Sequence, residues 1–202
     1  MFRRLKLPFF LPAVFICVLA GCNSNDLSSS NTGKEPVASG PPHTSLPMPP
    51  ANGGTINNLG WTFEGGRRSV FADFRGKVLV LDFYATWCEP CRAETPRLVQ
   101  MQKDYGSRGL QVIGLNVGGD DDREKVPAFA KEFGIEYPLA FPDDNLVDQY
   151  LTDNQNIPQS FVFDRNGDLV KRFIGYSSTS GAELERIVKA ALAAGPVAQQ
   201  AK

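Results

Sequence analysis

Apolar and polar positions divide the chain into an apolar leader, a polar spacer and a patterned region. Residues 7–19 are almost entirely apolar, whereas residues 23–55 are rich in Ser, Asn, Pro and Gly and have no apolar period. Such a polar segment cannot bury enough apolar surface to fold. From about residue 56, apolar runs recur at strand and helix spacing. We therefore predict one folded domain at residues 56–195 and a flexible tail at 196–202.

The patterned region predicts alternating strands and helices. Continuous apolar runs indicate strands buried on both faces, and apolar residues at helical spacing indicate amphipathic helices. The dipeptide Asn166-Gly167 between two strand-like runs is typical of a hairpin. The predicted elements are strands at 60–63, 69–71 and 78–83, a helix at 88–105, a strand at 110–117, a helix at 123–133, a short strand at 137–141, a short helix at 143–150, strands at 160–164 and 169–174, and a helix at 180–194. This order predicts an α/β fold.

The residues before Arg123 are three consecutive acids, Asp120, Asp121 and Asp122. Carboxylates at this place can accept hydrogen bonds from free amides and complement the positive end of a helix dipole. We expect them to cap the following helix, and a cation site is the alternative.

The leader has the features of a secretory signal. Arg3, Arg4 and Lys6 precede the apolar stretch, which is too short to span a membrane comfortably as a helix. The sequence Leu-Ala-Gly-Cys at 19–22 resembles the lipobox of bacterial lipoproteins, which implies cleavage after residue 21 and diacylation of Cys22. An ordinary signal with a chance cysteine is the alternative.

These features predict the location of the mature protein. Residues 1–21 would be a signal peptide, and residues 22–55 a disordered tether that holds the domain on a lipid bilayer through acylated Cys22. The protein would then be extracytoplasmic. In a bacterium with two membranes, Asn23 stands where an Asp retains lipoproteins in the inner membrane, so outer-membrane sorting is favoured.

Charge and cysteine content narrow the chemistry. The formal net charge is −1, so no basic excess indicates binding to nucleic acid. Cys17 lies in the leader and Cys22 would carry lipid, which leaves Cys88 and Cys91 as the free thiols of the mature protein. Outside the reducing cytoplasm such a pair can be oxidised.

Cys88 and Cys91 lie where a predicted strand meets a predicted helix. Thiol-disulfide exchange needs a thiolate that attacks and a second thiol that resolves the mixed disulfide. At the helix N-terminus, free amides and the dipole stabilise a thiolate on Cys88, while Cys91 lies one turn inward. We predict that Cys88 is the nucleophile, that Cys91 is the resolving thiol, and that the two form a disulfide when oxidised.

A Cys-x-x-Cys pair also occurs in zinc and haem sites, but this chain lacks their other residues. No second cysteine pair accompanies it, and the single histidine, His43, lies in the spacer. Haem attachment requires a histidine where Arg92 stands. A Cys-His hydrolase would also need a histidine in the domain. We expect no metal or cofactor. A purely structural disulfide remains open, although so short a loop stabilises little.

The segment LDFYATWCEPC at 81–91, followed by Glu94 and Pro96, resembles the thioredoxin superfamily, in particular its TlpA/ResA branch of membrane-tethered extracytoplasmic thiol-disulfide oxidoreductases. The resemblance extends through residues 157–164 and covers most of residues 56–194. It implies a thioredoxin fold, in which helices flank a central mixed sheet. An added N-terminal β-hairpin and a TlpA-like βα insertion complete the expected architecture.

The resemblance implies roles for two acids. Asp82 matches the buried acid of thioredoxin, which accepts or returns the proton of the second cysteine. Gly114 stands where thioredoxin has a lysine on the next strand, so we expect Asp82 to be harder to ionise. Glu94 matches a glutamate that tunes cysteine acidity in ResA-like proteins. The alternatives are a locally hydrogen-bonded Asp82 and a solvated Glu94.

The resemblance also implies a client-binding surface. Pro158 matches a proline that is cis and faces the cysteines in the family, although the chain alone does not reveal its isomer. Ile157 would offer its backbone to an extended client. We expect Trp87 to be a contact surface rather than a catalyst, with a core aromatic as the alternative. Glu89 and Pro90, between the cysteines, are further expected contacts.

Clients and redox direction follow from the same residues. Negative charge on Glu89, Asp82 and Glu94 opposes a second anion, which predicts a reducing couple. The resemblance implies disulfide-containing exported clients, for example in cytochrome c maturation, and a membrane electron donor of the DsbD/CcdA kind.

Other functions remain as alternatives. A disulfide oxidase or isomerase on the same fold is the nearest. A non-catalytic lipoprotein and a copper-binding lipoprotein are further ones, although copper binding is weakened by the lack of a domain histidine. A peroxidase of the peroxiredoxin type is disfavoured because Leu81 and Ala85 stand where its motif has proline and threonine.

Overall fold

A computed structural model describes residues 56–195 of the chain. The predicted signal at 1–21, the lipid on Cys22, the tether at 22–55 with Asn23, and the tail at 196–202 lie outside the described residues. Within residues 56–195, none of the helices has the length and apolar character needed to cross a membrane.

The described residues form seven strands and five α-helices. Short 3-10 helices at Ile56–Asn58, Phe71–Phe74 and Gly106–Arg108 accompany them. In chain order the elements are β1 Gly60–Phe63, β2 Arg68–Val70, β3 Val78–Tyr84, α1 Glu89–Tyr105, β4 Leu110–Asn116, α2 Asp120–Arg123, α3 Val126–Phe133, β5 Leu139–Pro142, α4 Asp144–Leu151, β6 Gln159–Phe163, β7 Leu169–Ile174 and α5 Ser178–Ala193.

The seven strands form one mixed sheet in the order β2-β1-β5-β4-β3-β6-β7. Strand β4 pairs in parallel with both β3 and β5. Strands β1 and β6 pair antiparallel with β5 and β3, and β2 and β7 extend the sheet as antiparallel hairpin partners. This sheet, flanked by helices, confirms the predicted thioredoxin fold. The β1-β2 hairpin and the β5-α4 insertion are the expected additions.

The central strand β3 is buried along all seven of its residues. Alternate side chains of a strand point to opposite faces, so its apolar run supplies two cores. Leu79, Leu81 and Phe83 belong to the core that includes Trp61, and Val78 and Val80 belong to the core beneath α1 and α5. Burial on both faces is consistent with the interior position of β3, between β4 and β6, and the cysteine pair follows its carboxyl end.

The helix predicted at 123–133 is divided into α2 and α3 in the structure. Pro127 lies in the first turn of α3, the one place in a helix where its missing amide costs nothing. The acidic triplet lies in the first turn of α2, as expected for its negative charge, but the expected side-chain capping is wrong. The residue before α2 is Gly119, no side chain caps this helix, and Asp122 is buried instead of solvated.

Candidate active site

The cysteine pair lies where β3 passes into α1. The amide of Cys88 donates to the carbonyl oxygen of Ala85 at 3.2 Å, which closes a tight turn after the strand. Cys88 is the residue before the first helical residue, and Pro90 lies in the first turn, where an amide would be unpaired. Local sequence therefore starts the helix at the cysteines.

Cys88 and Cys91 are joined in a disulfide. The amide of Cys91 donates to Cys88 Sγ at 3.3 Å, so a free amide of the helix start points at this sulfur. The same geometry would stabilise a thiolate on Cys88 once the bridge is reduced. Both cysteines are buried, Cys88 at 5% exposure and Cys91 at 2%, so Cys88 is the slightly more exposed residue.

The loop before β6 lies against Cys88. The Ile157-Pro158 peptide bond is cis, and the Ile157 carbonyl oxygen lies 3.7 Å from Cys88 Sγ. The side-chain amide of Gln159 donates to the carbonyl oxygens of Asn154 and Asn156, each at 2.7 Å. Gln159 is fully buried, so these bonds hold the loop from the inside of the protein.

Three predicted contact residues are exposed around the pair. Trp87 is 64% exposed, which excludes the alternative of a core aromatic. Glu89 and Pro90 are exposed in the first turn of α1. Together with Ile157, whose backbone faces Cys88, these residues form a rim of apolar, acidic and backbone groups beside the disulfide.

Two carboxyl groups are buried on the protein side of the site, Asp82 on β3 and Glu94 on α1, each 3% exposed. Ser160 Oγ donates to Glu94 Oε1 at 2.9 Å. Glu94 Oε2 and Asp82 Oδ1 have no hydrogen-bond partner within residues 56–195. The buried position of Glu94 excludes the alternative of a solvated helix charge.

Burial changes the acidity of both groups. It raises the pKa of Glu94 to about 7, although the hydrogen bond from Ser160 lowers that pKa in part. Burial raises the pKa of Asp82 well above its ordinary value, and the charge of Glu94 raises it further. Asp82 pairs with Gly114 on β4, so no cation stands opposite it to offset these effects. Glu94 can therefore hold and release a proton near neutral pH, and Asp82 keeps its proton to a higher pH than an exposed aspartate does.

Sequence reasoning missed Ser160 and Asp122. Ser160 is a polar residue inside a fully buried strand, and it pairs with Asp82 across β3 and β6. That interruption of an apolar run was the available signal. Asp122 accepts hydrogen bonds from Thr86, in the turn before Cys88, and from Asn116. Its position just after β4, beside the end of β3, was the signal for Asp122.

No group of three or more His, Cys, Asp or Glu side chains is arranged to hold a metal ion within the described range.

The chain resembles characterised thiol-disulfide oxidoreductases. The family model described as the AhpC/TSA family matches residues 57–172. The thiol-disulfide oxidoreductase ResA of Bacillus subtilis (strain 168) is 28% identical over 179 residues, which is 88% of this chain and 89% of that protein. The ResA of Geobacillus kaustophilus (strain HTA426) is 31% identical over 137 residues, which is 67% of this chain and 75% of that protein.

A solved structure of a similar protein has the same fold as this chain. The crystal structure of a putative thiol:disulfide interchange protein DsbE from Chlorobium tepidum superposes with a TM-score of 0.59 and 30% identity, covering 68% of this chain and 95% of the other. The fold, the cysteine pair and these relatives agree with one another. The chain belongs to the AhpC/TSA family and is a TlpA/ResA-like thiol-disulfide oxidoreductase of the thioredoxin superfamily.

Proposed function

We propose that this protein is a lipid-anchored, extracytoplasmic reductase that opens disulfides in exported client proteins. The observation that supports the direction is the pair of buried acids, Asp82 and Glu94, whose pKa values are raised. The burial that raises these pKa values also disfavours a thiolate on buried Cys91, and the ionised fraction of Glu94 opposes that thiolate further. The dithiol is therefore less stabilised and donates its electrons more readily.

The proposed cycle uses both cysteines. The Cys88 thiolate attacks one sulfur of the client disulfide, and the other client sulfur leaves as a thiolate and takes a proton. Cys91 then passes its proton to the acid pair of Asp82 and Glu94 and attacks Cys88 Sγ. The client's second sulfur leaves as a thiolate, which takes the proton back from the acid pair, and the Cys88–Cys91 disulfide forms. The client gains two electrons and the enzyme loses two.

The exposed rim supplies the proposed client contacts. Trp87, Glu89 and Pro90 would contact the segment that carries the disulfide, and the backbone of Ile157 beside Pro158 would pair with it as an added strand. The position of the Ile157 carbonyl oxygen, 3.7 Å from Cys88 Sγ, supports this arrangement because it brings the client backbone to the attacking sulfur.

The cellular setting rests on the leader and on the relatives. Diacylated Cys22 would hold the domain on a bilayer through the tether at 22–55, on the outer membrane where Asn23 directs sorting. Clients in cytochrome c maturation and a membrane electron donor of the DsbD/CcdA kind are the partners that the resemblance to ResA supports.

The test is reduction of a protein disulfide. The full chain is first reduced with dithiothreitol, which is then removed. We expect each molecule to reduce one disulfide of insulin and to lose the thiols of Cys88 and Cys91. If the oxidised protein forms disulfides in reduced insulin faster than the reduced protein opens those of insulin, the oxidase alternative would be supported instead.

Lipidation is tested separately by the mass of membrane-extracted protein, which Cys22→Ser should lower by the diacylglycerol group.

A further inference from the structure

Thr86, two residues before the nucleophilic cysteine, is bound through every polar group that it has. Its amide donates to Asp122 Oδ2 at 2.8 Å, and its hydroxyl donates to Asp122 Oδ1. Its carbonyl oxygen accepts from Arg92 Nη1 at 3.2 Å. We call these three residues the Thr86 clamp. The clamp joins β3, α1 and α2 at the start of the active-site turn.

Asp122 is buried in this position and held there by hydrogen bonds. It is 1% exposed, and Asn116 Nδ2 donates to its Oδ2 at 2.8 Å. Burial raises the pKa of Asp122, but the hydrogen bonds from Thr86 and Asn116 outweigh burial and hold the pKa below its ordinary value. A Cβ at Gly118 would lie 2.2 Å from Asp122 Oδ2, so the chain has a glycine where the carboxylate needs room. The group is an ionised acceptor of three donors.

Arg92 completes the clamp from the helix side. Its guanidinium forms an ion pair with Glu132 and lies over the Phe133 ring at 5.0 Å from the centroid. The Phe129 ring, in the same helix as Phe133, stacks on Tyr84 of β3 at 5.3 Å. Helix α3 therefore orients Arg92 while it packs against the end of the strand. This contact gives α3 a link to the active-site turn.

The clamp restrains Thr86, at the start of the active-site turn, more directly than it restrains Cys88, at the end of the turn. Cys88 has its own restraints, since its amide bonds to Ala85 and its carbonyl oxygen accepts from the amide of Arg92 at 3.0 Å. Trp87, between Thr86 and Cys88, is 64% exposed. The backbone that carries the exposed Trp87 side chain is therefore restrained at Cys88 on one side and at Thr86, which the clamp holds, on the other.

We propose that Asp122 is a positioning residue which, through Thr86, fixes the Trp87 ring beside Cys88 for contact with protein clients. The proposal rests on the proposed function, since it takes Trp87 as a client contact. Loss of the clamp leaves the chemistry of the cysteine pair in place and weakens productive docking of large clients. Small disulfides, which reach Cys88 without the Trp87 surface, are reduced as before.

The test compares Asp122→Asn with Asp120→Asn in the full chain. Asp120 lies exposed in the same short helix, so its substitution makes the same change in charge without touching Thr86. Each reduced variant is mixed with insulin and, separately, with 5,5′-dithiobis(2-nitrobenzoate). We expect Asp122→Asn to lower the second-order rate with insulin about tenfold. Its rate with the small disulfide and its reduction potential should match those of Asp120→Asn.

Fluorescence reports the same event without activity. Of the chain's two tryptophans, Trp61 is fully buried and Trp87 is exposed, so acrylamide quenches mainly Trp87. If the fluorescence of this quenchable tryptophan depolarises faster in Asp122→Asn than in Asp120→Asn, its ring moves more freely, which would support the proposal. If Asp122→Asn does not fold, Thr86→Val takes its place in the test, because it keeps the backbone hydrogen bond to Asp122 and loses the hydroxyl. Thr86→Ser, which keeps a hydroxyl, should react with insulin at the rate of the unsubstituted protein.

The outcomes separate the two proposals. Equal insulin rates in Asp122→Asn and Asp120→Asn would overturn the role of Asp122. An equal loss with insulin and with the small disulfide would overturn it as well, because the clamp would then act on Cys88 itself. If the unsubstituted protein reduces the small disulfide but not insulin, the proposed function fails instead.

Discussion

Ser160 donates a hydrogen bond to the buried carboxyl group of Glu94 at 2.9 Å, from the strand position that pairs with Asp82. Ser160 thus binds one of the two buried acids through its hydroxyl and stands opposite the other in the sheet. Because a donor to a carboxylate favours its ionised form, Ser160 limits the rise of the Glu94 pKa. The acidity of the site depends on a residue that is neither acidic nor a thiol.

Removal of that hydroxyl should raise the pKa of Glu94 above its value of about 7. Ser160→Ala leaves the carboxyl group buried with one bond fewer, so ionisation becomes harder. We expect the carboxyl resonance of Glu94, followed by NMR, to titrate at higher pH in Ser160→Ala. Ser160→Thr keeps the hydroxyl and serves as the control. An unchanged titration in Ser160→Ala would show that the hydroxyl does not act on Glu94.

Glu94 should also make the stability of the oxidised protein depend on pH. Its pKa is about 7 in the folded protein and lies near 4.5 in the unfolded chain, so the folded state binds more protons between these values. The free energy of unfolding should therefore fall as pH rises from about 4.5 to about 7, by at most about 3.5 kcal/mol at about 1.4 kcal/mol per pH unit. Asp82, with its raised pKa, adds to the fall.

Urea unfolding at pH 5 and pH 7.5 measures this dependence. Glu94→Gln removes the titrating group and keeps the shape, and it should reduce the difference between the two pH values. It should also lower the pKa of Asp82, because the charge of Glu94 no longer acts on it. A Glu94→Gln protein with the pH dependence of the unsubstituted one would contradict the assignment.

The cysteines should behave differently when replaced singly. Cys91→Ser keeps the attacking sulfur and lacks the resolving one, so it should accumulate a mixed disulfide with a protein client. Cys88→Ser should form no such adduct, since Cys91 is 2% exposed. Mass spectrometry of each variant after mixing with insulin checks both outcomes. Stable adducts with Cys88→Ser in place of Cys91→Ser would reverse the proposed roles.

Gly118→Ala should mimic the loss of Asp122. The added Cβ would lie 2.2 Å from Asp122 Oδ2 and 2.6 Å from its Cγ, so the carboxylate must move away from Thr86. We expect a lower free energy of unfolding by about 1–3 kcal/mol, the cost of disturbing a buried acceptor, together with a slower reaction with insulin. Thermal unfolding and the insulin rate are the measurements. An unchanged insulin rate would mean that Thr86 tolerates the displacement.

The sequence predicted those parts of the molecule that local pattern controls. The apolar run of β3, the Asn166-Gly167 hairpin and the cysteine-bearing helix start all follow from side-chain type and spacing. These features need few contacts between distant residues, so a single sequence is sufficient to predict them. The position of Gly114 opposite Asp82 is a contact between two strands, and the resemblance to thioredoxin, rather than local pattern, predicts it.

The missed features depend on tertiary contacts. Asp122 looks like one member of a solvated acidic triplet, and its inward direction is set by Thr86, 36 residues earlier in the chain. Ser160 meets Glu94 across 66 residues. The division between α2 and α3 had a local signal in Pro127, but the preceding acids favoured one longer helix. Side-chain direction is what the sequence pattern could not predict.

The most direct test of the central claim is the equilibrium reduction potential of the Cys88/Cys91 couple in the purified full chain. The fraction of free thiols is measured by alkylation across glutathione and dithiothreitol buffers. We expect a reversible two-electron couple near that of thioredoxin, about −270 mV, because burial and the ionised fraction of Glu94 disfavour the thiolate. A value near about −120 mV, that of a strong disulfide oxidant, would contradict the proposed reductase.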